Sequence, residues 1–162
     1  QVGTLRSQLI YPSLETSLGD ERLLEILDEV HMEELAERVG GLDAVEDWGK
    51  LLSVGEQQRL AFGRVLVRQP SIVIVDEGTS ALDSSNENSL YERLRSAGTT
   101  IISIAHRPAV LRHHTHVLRL VGAGAWELHA AEGYEFDGPL LVVSAQSTEP
   151  PSIEFGVGVR AS

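Results

Sequence analysis

Two adjacent carboxylates follow a run of branched apolar residues, at a position that suits phosphate chemistry. Residues 72–75 are all β-branched, lie shortly after Pro70 and are followed by Asp76 and Glu77. Such a run is typical of a buried strand in a parallel sheet, and open sheets bind ligands at the carboxyl ends of their strands. Because side chains alternate along a strand, one carboxylate can hold Mg²⁺ while the other orients an attacking water. A strand ending in a solvated acidic turn explains the pair equally well.

A second group of residues predicts an anion site at the start of a helix. Ser53 and Glu56 have the spacing of a capping box, and Val54 and Gly55 lie between them. A serine hydroxyl, a glycine that permits close backbone approach and the N–H groups of a helix N-terminus together suit a terminal phosphate. Taken alone, Ser53 and Glu56 would form a helix cap and nothing more.

Two other sites that the residues could form are not expected. The phosphate-loop pattern G-x-x-x-x-G-K-[ST] does not occur, since the only lysine is Lys50 and Ala44 stands where the first glycine would lie. The clustered histidines His113, His114 and His116 have no Cys or carboxylate at ligand spacing, so we do not expect them to bind a metal.

Helices must position the predicted anion site at Ser53 and Glu56. Apolar residues at three- and four-residue spacing predict an amphipathic helix in two pieces between Gly19 and Gly40, and a further helix over residues 57–67. Twelve acidic residues and two arginines lie within residues 15–47, which therefore hold ten of the eleven net negative charges. We interpret this acidic stretch as a solvated helix face.

A parallel sheet must position the two carboxylates, Asp76 and Glu77. The strand over residues 72–75 is expected to be central and covered on both faces. Ser84 and Glu87 form a second capping-box pattern, which opens a helix that Gly98 can end. A buried strand over residues 99–104 follows, and this strand–helix–strand order is typical of a parallel crossover unit.

The remaining sequence predicts weaker structure. Residues 117–121 can supply a third strand and residues 126–129 a short edge strand. From Ala130 onward the pattern decays, and residues 130–162 are expected to form a loosely ordered tail that the fold does not need. Residues 140–143 are the main apolar segment of this tail.

Length and charge narrow the functional classes. A chain of 162 residues with 42% hydrophobic residues fits one domain, and no uncharged apolar run approaches the roughly 18 to 20 residues that span a bilayer. The net charge of −11 argues against a nucleic-acid backbone binder, and the absence of Cys excludes disulfides. The chain begins at Gln1 without Met, as expected of a piece of something longer.

Three motifs in order resemble those of ATP-binding cassette (ABC) ATPases. Residues 52–59 read LSVGEQQR, close to the signature LSxGEQQR, and residues 76–83 read DEGTSALD, close to the Walker B and D-loop segment DEATSALD. His106 then follows the next predicted strand, like the switch histidine of that family. The resemblance implies a partial P-loop NTPase fold of the α/β class, with a parallel sheet core and an α-helical subdomain. The absence of Walker A implies the C-terminal part of a nucleotide-binding domain.

The resemblance also implies a role for each matching residue, with ATP and Mg²⁺ as cofactors. Asp76 would help to hold Mg²⁺ through water, Glu77 would polarise the attacking water and His106 would contact the terminal phosphate. Asp83 would couple the two nucleotide sites of a dimer. The signature residues expected to face the nucleotide are Ser53, Val54, Gly55 and Glu56. Gly78 replaces the usual alanine, which loosens the turn after Glu77 but removes no functional group.

The domain boundaries and partners follow from the same resemblance. Residues 1–129 would be the domain portion, with a helical subdomain at about 12–69 and a catalytic remainder at about 70–129. The expected partners are a second nucleotide-binding domain, placed head to tail, and the transmembrane domain of a transporter, with no nucleic acid. The location would be the cytoplasmic face of a bacterial inner membrane, and the ratio of twelve Arg to one Lys indicates a GC-rich genome.

Other shared residues resemble one subfamily. The peroxisomal fatty-acyl transporters and their bacterial relatives, which take up peptides, long-chain acyl compounds or corrinoids, share several short segments with this chain. These segments include residues 3–6, Tyr11-Pro12, Trp48 and His106-Arg107.

Three functional classes compete. The first is a portion of a transporter ATPase that works only within a longer polypeptide, and is inactive alone because Walker A is missing. The second is a regulatory or vestigial ABC module that supplies a signature motif to a partner without hydrolysis. The third is an ABC protein acting on ribosomes or chromosomes, which is disfavoured because residues 80–83 read SALD, where ribosomal members usually have TNHLD.

Overall fold

The computed structural model describes residues 2–13, 15–76, 82, 84–122, 124–136, 138 and 140–144. Of Ala105 and Leu140 it describes the backbone alone. Within these residues, every helix is too short or too polar to cross a lipid bilayer. The described residues form a helical region followed by a sheet region.

The helical region, residues 2–68, contains five helices and a small two-stranded sheet. Strand β1 (Val2–Thr4) pairs antiparallel with strand β2 (Val45–Asp47). The helices are α1 (Leu5–Ile10), α2 (Asp20–Glu29), α3 (Leu35–Val39), α4 (Trp48–Leu51) and α5 (Val54–Arg68). The two-piece helix predicted between Gly19 and Gly40 is therefore α2 and α3, and Gly40 ends α3 in the left-handed conformation at φ 91°.

Helix α5 is held at the centre of this region by apolar packing. It packs on α1 and α2, whose buried side chains include Leu5, Leu9, Leu23 and Leu27. A Cβ atom added at Gly63 of α5 would lie 3.2 Å from Leu9 Cδ2, so the glycine permits the close approach of α5 to α1. The packing of α5 on α1 and α2 thereby fixes the position of the α5 N-terminus.

The sheet region, residues 72–144, is built on a mixed five-stranded sheet. Its strands are β3 (Ile72–Asp76), β4 (Thr100–Ala105), β5 (His116–Gly122), β6 (Ala125–Ala130) and β7 (Leu140–Ser144). Helix α6 (Ser84–Ser96) connects β3 to β4, which run parallel as predicted, and a 3-10 helix, Pro108–His113, precedes β5. The order across the sheet is β3-β4-β7-β5-β6.

Two features of this sheet differ from the sequence prediction. Strand β3 lies at one edge of the sheet, not at its centre, because among the described residues only β4 pairs with it. Residues 140–144 form strand β7 between β4 and β5, antiparallel to both, whereas the sequence pattern predicted a loose tail from Ala130. Two partner strands supply the hydrogen bonds that the short apolar segment cannot satisfy alone. Residues 145–162 of the predicted tail lie outside the described residues.

The two faces of the sheet are covered unequally. Helix α6 packs on the face that carries Val75, Ile101 and Ser103, where Tyr91 of α6 hydrogen-bonds Ser103. On the opposite face, Ile72 and Ile74 at the β3 edge are exposed, as are Leu120 and Trp126 at the far end. Leu118 and Val143, nearer the middle of that face, are buried.

Candidate functional site

The N-terminus of α5 carries the complete capping box that the sequence predicts. The Ser53 hydroxyl accepts a hydrogen bond from the backbone N–H of Glu56 at 3.3 Å, and the Glu56 carboxylate accepts from the Ser53 backbone N–H at 2.8 Å. The Ser53 hydroxyl also donates to the same carboxylate at 2.9 Å. The side chain of Gln57 donates to the Leu52 carbonyl at 2.9 Å, which fixes the entry of the chain into the helix.

This arrangement leaves anion-binding groups at the tip of the helix. The first N–H groups of an α-helix have no partner within the helix, and here the box uses that of Glu56 but not those of Val54 and Gly55. Ser53 and Val54 are exposed, and Gly55 adds no side chain. The four predicted signature residues are thus presented together at the positive end of a fifteen-residue helix.

Arg38 offsets the negative charge that Glu56 brings to this helix end. Its guanidinium donates to the Glu56 carboxylate at 2.7 Å. Burial raises the pKa of Glu56, but hydrogen bonds from Ser53 and Arg38 outweigh that effect and hold the pKa below its usual value. The carboxylate therefore stays ionised and paired, and the helix tip keeps its attraction for anions.

Asp76 and His106 lie at the carboxyl ends of the two parallel strands. Asp76 is the last residue of β3 and is in register with Ile104, and His106 directly follows the end of β4. Both side chains are exposed. The two predicted site residues are thus brought to one edge of the sheet, where carboxylate and imidazole can reach a common ligand. Glu77 and Asp83 lie outside the described residues.

The two groups belong to different regions of the molecule. Ser53, Val54, Gly55 and Glu56 project from the helical region, whereas Asp76 and His106 end strands of the sheet region. A hydroxyl and N–H donors form one group, while a carboxylate and an imidazole form the other. The first group can bind an anion, and the second can hold a cation and move a proton.

Sequence reasoning missed two charged side chains next to these groups. Arg38 was counted within the acidic stretch, although as one of only two arginines there it could have been recognised as a partner for a nearby carboxylate. Glu87 was interpreted as part of a helix cap for Ser84. Helix α6 instead begins at Ser84 itself, and the Glu87 carboxylate accepts a hydrogen bond from Arg107 at 2.8 Å.

The clustered histidines have roles in packing. His113 stacks on Tyr91 with ring centroids 4.4 Å apart, and His114 donates from Nδ1 to the Val110 carbonyl at 2.9 Å. Burial lowers the pKa of His113, and it lowers the pKa of His114 to about 4. Among the described residues, no group of three or more potential ligands lies close enough to share a metal ion.

Comparison with known proteins identifies similar sequences among transport proteins. The family model described as ABC transporter matches residues 3–80. An uncharacterized ABC transporter ATP-binding protein of Synechocystis sp., sll0182, is 50% identical over 127 residues, which cover 78% of this chain and 19% of that protein. The mouse lysosomal cobalamin transporter ABCD4 is 44% identical over 133 residues, which cover 78% of this chain and 22% of that protein.

A solved structure has a similar fold. The structure of a bacterial Atm1-family ABC exporter with ATP bound matches 80% of this chain and 23% of its own, with a TM-score of 0.64 and 27% sequence identity. The chain therefore spans about a fifth of the length of the relatives that it matches.

Proposed function

The chain belongs to the ATP-binding proteins of ABC transporters, and from this premise we propose that it is the C-terminal portion of a nucleotide-binding domain that powers transmembrane transport. The predicted family and the predicted α/β fold are both confirmed by the comparisons. In the proposed function, the N-terminus of α5 contacts the terminal phosphate of an ATP molecule that is held by the phosphate loop of a second nucleotide-binding domain.

The observation that carries this proposal is the geometry of the α5 N-terminus. The capping box holds Ser53 in place, leaves the N–H groups of Val54 and Gly55 outside the intrahelical ladder, and keeps Glu56 paired with Arg38. A rigid, capped and electrostatically positive helix end suits a phosphate that another domain delivers. The separation of this group from Asp76 and His106 fits a head-to-tail dimer, in which each domain supplies a different part of each site.

The residues at the carboxyl ends of β3 and β4 suit the binding of Mg²⁺ and the activation of water. Mg²⁺ prefers oxygen ligands and is usually held by one or two carboxylates together with substrate phosphates, so exposed Asp76 suits it as a ligand through water. When bound, Mg²⁺ would neutralise charge on the phosphates. We assign His106 to contact the terminal phosphate and Glu77 to polarise the attacking water, as the family resemblance implies.

The partners and location are part of the same proposal. A transmembrane domain would receive the work of ATP hydrolysis, and a second nucleotide-binding domain would complete each site. The chain would then act at the cytoplasmic face of a bacterial inner membrane. No nucleic-acid partner is proposed, because the net charge of −11 opposes contact with phosphate backbones.

The chain by itself should bind Mg-ATP weakly and hydrolyse none. Its sequence has no G-x-x-x-x-G-K-[ST] segment to surround the β- and γ-phosphates with backbone N–H groups and a lysine. Titration calorimetry on the purified chain, paired with a phosphate-release assay, tests this expectation. Low-micromolar affinity, or turnover above background, would contradict it.

The same missing segment favours one alternative. A regulatory or vestigial ABC module would supply its signature helix to an intact partner and never hydrolyse ATP at its own sheet edge. The two proposals differ in what the genome encodes before Gln1. A transmembrane domain followed by a phosphate loop in the same reading frame would support the transporter ATPase, and a native start codon at this point would support the regulatory module.

A further inference from the structure

We propose that Glu87 is the positioning residue of His106 and that it acts through Arg107. Glu87 lies in the first turn of α6, and its side chain is almost fully buried, with 1% of the residue exposed. Its carboxylate accepts hydrogen bonds from Arg107 at 2.8 Å and from Arg112 at 3.5 Å. Both guanidinium groups come from the segment that follows β4.

Because the Glu87 carboxylate is buried, it requires a charged partner. An ionised carboxylate removed from water is stable only when charged partners and hydrogen bonds replace the lost solvent. The shorter, Arg107 bond is the stronger of the two, because hydrogen-bond strength falls as the donor–acceptor distance lengthens toward 3.5 Å. Arg107 is therefore held to α6 by a charged hydrogen bond to a buried acceptor.

The effect reaches His106 along the backbone. Arg107 is the next residue after His106, and Pro108 begins the 3-10 helix directly afterwards. On its other side His106 adjoins β4, whose register with β3 is fixed by parallel pairing. The peptide that carries His106 is thus anchored on one side by the sheet and on the other by the Glu87–Arg107 pair.

The fold has other contacts that attach α6 to the sheet. Leu90 and Leu94 are buried, and the Tyr91 hydroxyl lies 3.1 Å from the Ser103 hydroxyl, one helical turn beyond Glu87. A buried leucine in place of Glu87 would serve packing equally well, without the cost of removing a charge from water. We infer that the Glu87 carboxylate serves to hold the segment that follows β4, through Arg107 and Arg112.

The contact of His106 with a phosphate rests on the proposed function, but the positioning of its ring does not. The test is therefore made on the 162-residue chain without nucleotide. In a histidine-labelled sample, the imidazole Cε1–Hε1 resonance of His106, assigned with a His106→Gln variant, reports the environment and mobility of the ring. The variants are Glu87→Gln and, as a matched control that leaves the carboxylate and both arginines in place, Tyr91→Phe.

We expect Glu87→Gln to shift the His106 resonance or change its transverse relaxation rate at least twofold, and Tyr91→Phe to leave both near the wild-type values. Glu87→Asp keeps the charge but shortens the side chain, so it should change the His106 resonance by an intermediate amount. If Glu87→Gln does not fold, Glu87→Asp still tests the proposal. In an Arg107→Gln background, a further Glu87→Gln change should add nothing. A His106 resonance that Glu87→Gln and Glu87→Asp leave unchanged, or that Tyr91→Phe changes as much, would overturn the proposal.

Discussion

The helical region and the sheet region differ in where their exposed apolar side chains lie. Leu5, Leu9 and Leu23 of the helical region are fully buried, in a core that continues to Val75 and Ile101 of the sheet region. In the sheet region, Ile72 and Ile74 are 59% and 69% exposed on one face. The exposed apolar side chains of the helical region, such as Val2, Leu24 and Val54, belong to separate elements, whereas Ile72 and Ile74 lie together on one face of β3.

This difference has a physical cause and a functional consequence. Helices can close a core by packing on each other, but a strand of branched apolar residues in a parallel sheet requires cover on both faces. The signature residues Ser53 and Gly55 belong to the helical region. Asp76 and His106 belong to the region that is open on one face. The group that we propose to act on a partner's nucleotide thus lies in a different region from the exposed apolar face of the sheet.

The largest effect is expected from a charge placed in the sheet interior. Val142 of β7 is fully buried between β4 and β5, so Val142→Asp should destabilise the sheet region by roughly 3 kcal/mol or more. Hydrogen exchange should accelerate in β4 and β5. The same change at exposed Val121 serves as the control and should have little effect.

The same variant sharpens the comparison because each region holds one tryptophan. Trp48 is buried in the helical region, where its indole N–H donates to the Gly3 carbonyl at 2.7 Å, and Trp126 is in the sheet region. In a Trp126→Phe background, Val142→Asp should leave the emission of Trp48 unchanged. A red shift of Trp48 emission would show that the two regions unfold as one unit.

A pH effect of intermediate size should also arise in the sheet region. Burial lowers the pKa of His114 to about 4 from an ordinary value near 6.5. Between these values the unfolded chain binds a proton that the folded chain does not, so the free energy of unfolding should fall as pH drops from about 6.5 to 4. The loss is about 3 kcal/mol, and stability from this source is complete above pH 6.5.

The control for this effect is His114→Asn, whose amide can still donate to the Val110 carbonyl but does not titrate. Urea unfolding followed at several pH values should show a smaller decrease for the variant than for the wild type over this interval. Equal slopes in the two proteins would contradict the assignment of the effect to His114.

The smallest effect is expected in the helical region. Ser53→Ala removes the hydroxyl that caps α5 and should cost about 1 kcal/mol of stability. Ser71→Ala, at an exposed serine before β3, is the matched control. Because the cap belongs to the helical region, hydrogen exchange should accelerate in the first turn of α5 and not in β4. Faster exchange in β4 but not in α5 would contradict this prediction.

Local signals explain why much of this structure was predictable. The capping box at Ser53 and Glu56 and the two-piece helix ended by Gly40 depend on spacings within a few residues. The parallel pair β3 and β4 was predictable from the order strand, helix, strand along the chain. The signature and the segment after Asp76 were recognisable because several functional groups recur there in a fixed order.

The features that the sequence did not reveal depend on distant partners. Strand β7 is only five residues long and acquires its place from β4 and β5, whose paired residues lie more than twenty positions before their partners in β7. The edge position of β3 likewise depends on which strands lie beside it. The partners of Glu87 come from twenty and twenty-five residues away, so its spacing from Ser84 indicated a cap rather than an ion pair.

The central claim is that this chain supplies its signature to ATP held by another domain. The direct measurement is the ATPase rate of a mixture of the chain with an intact nucleotide-binding domain whose own signature is disabled. We predict that the wild-type chain restores turnover and that Gly55→Asp abolishes the restoration, because a carboxylate would then face the terminal phosphate. Glu77→Gln in the chain should leave the restoration largely intact, since the working site uses the partner's own glutamate. No restoration by the wild-type chain, or equal losses with Gly55→Asp and Glu77→Gln, would contradict the claim.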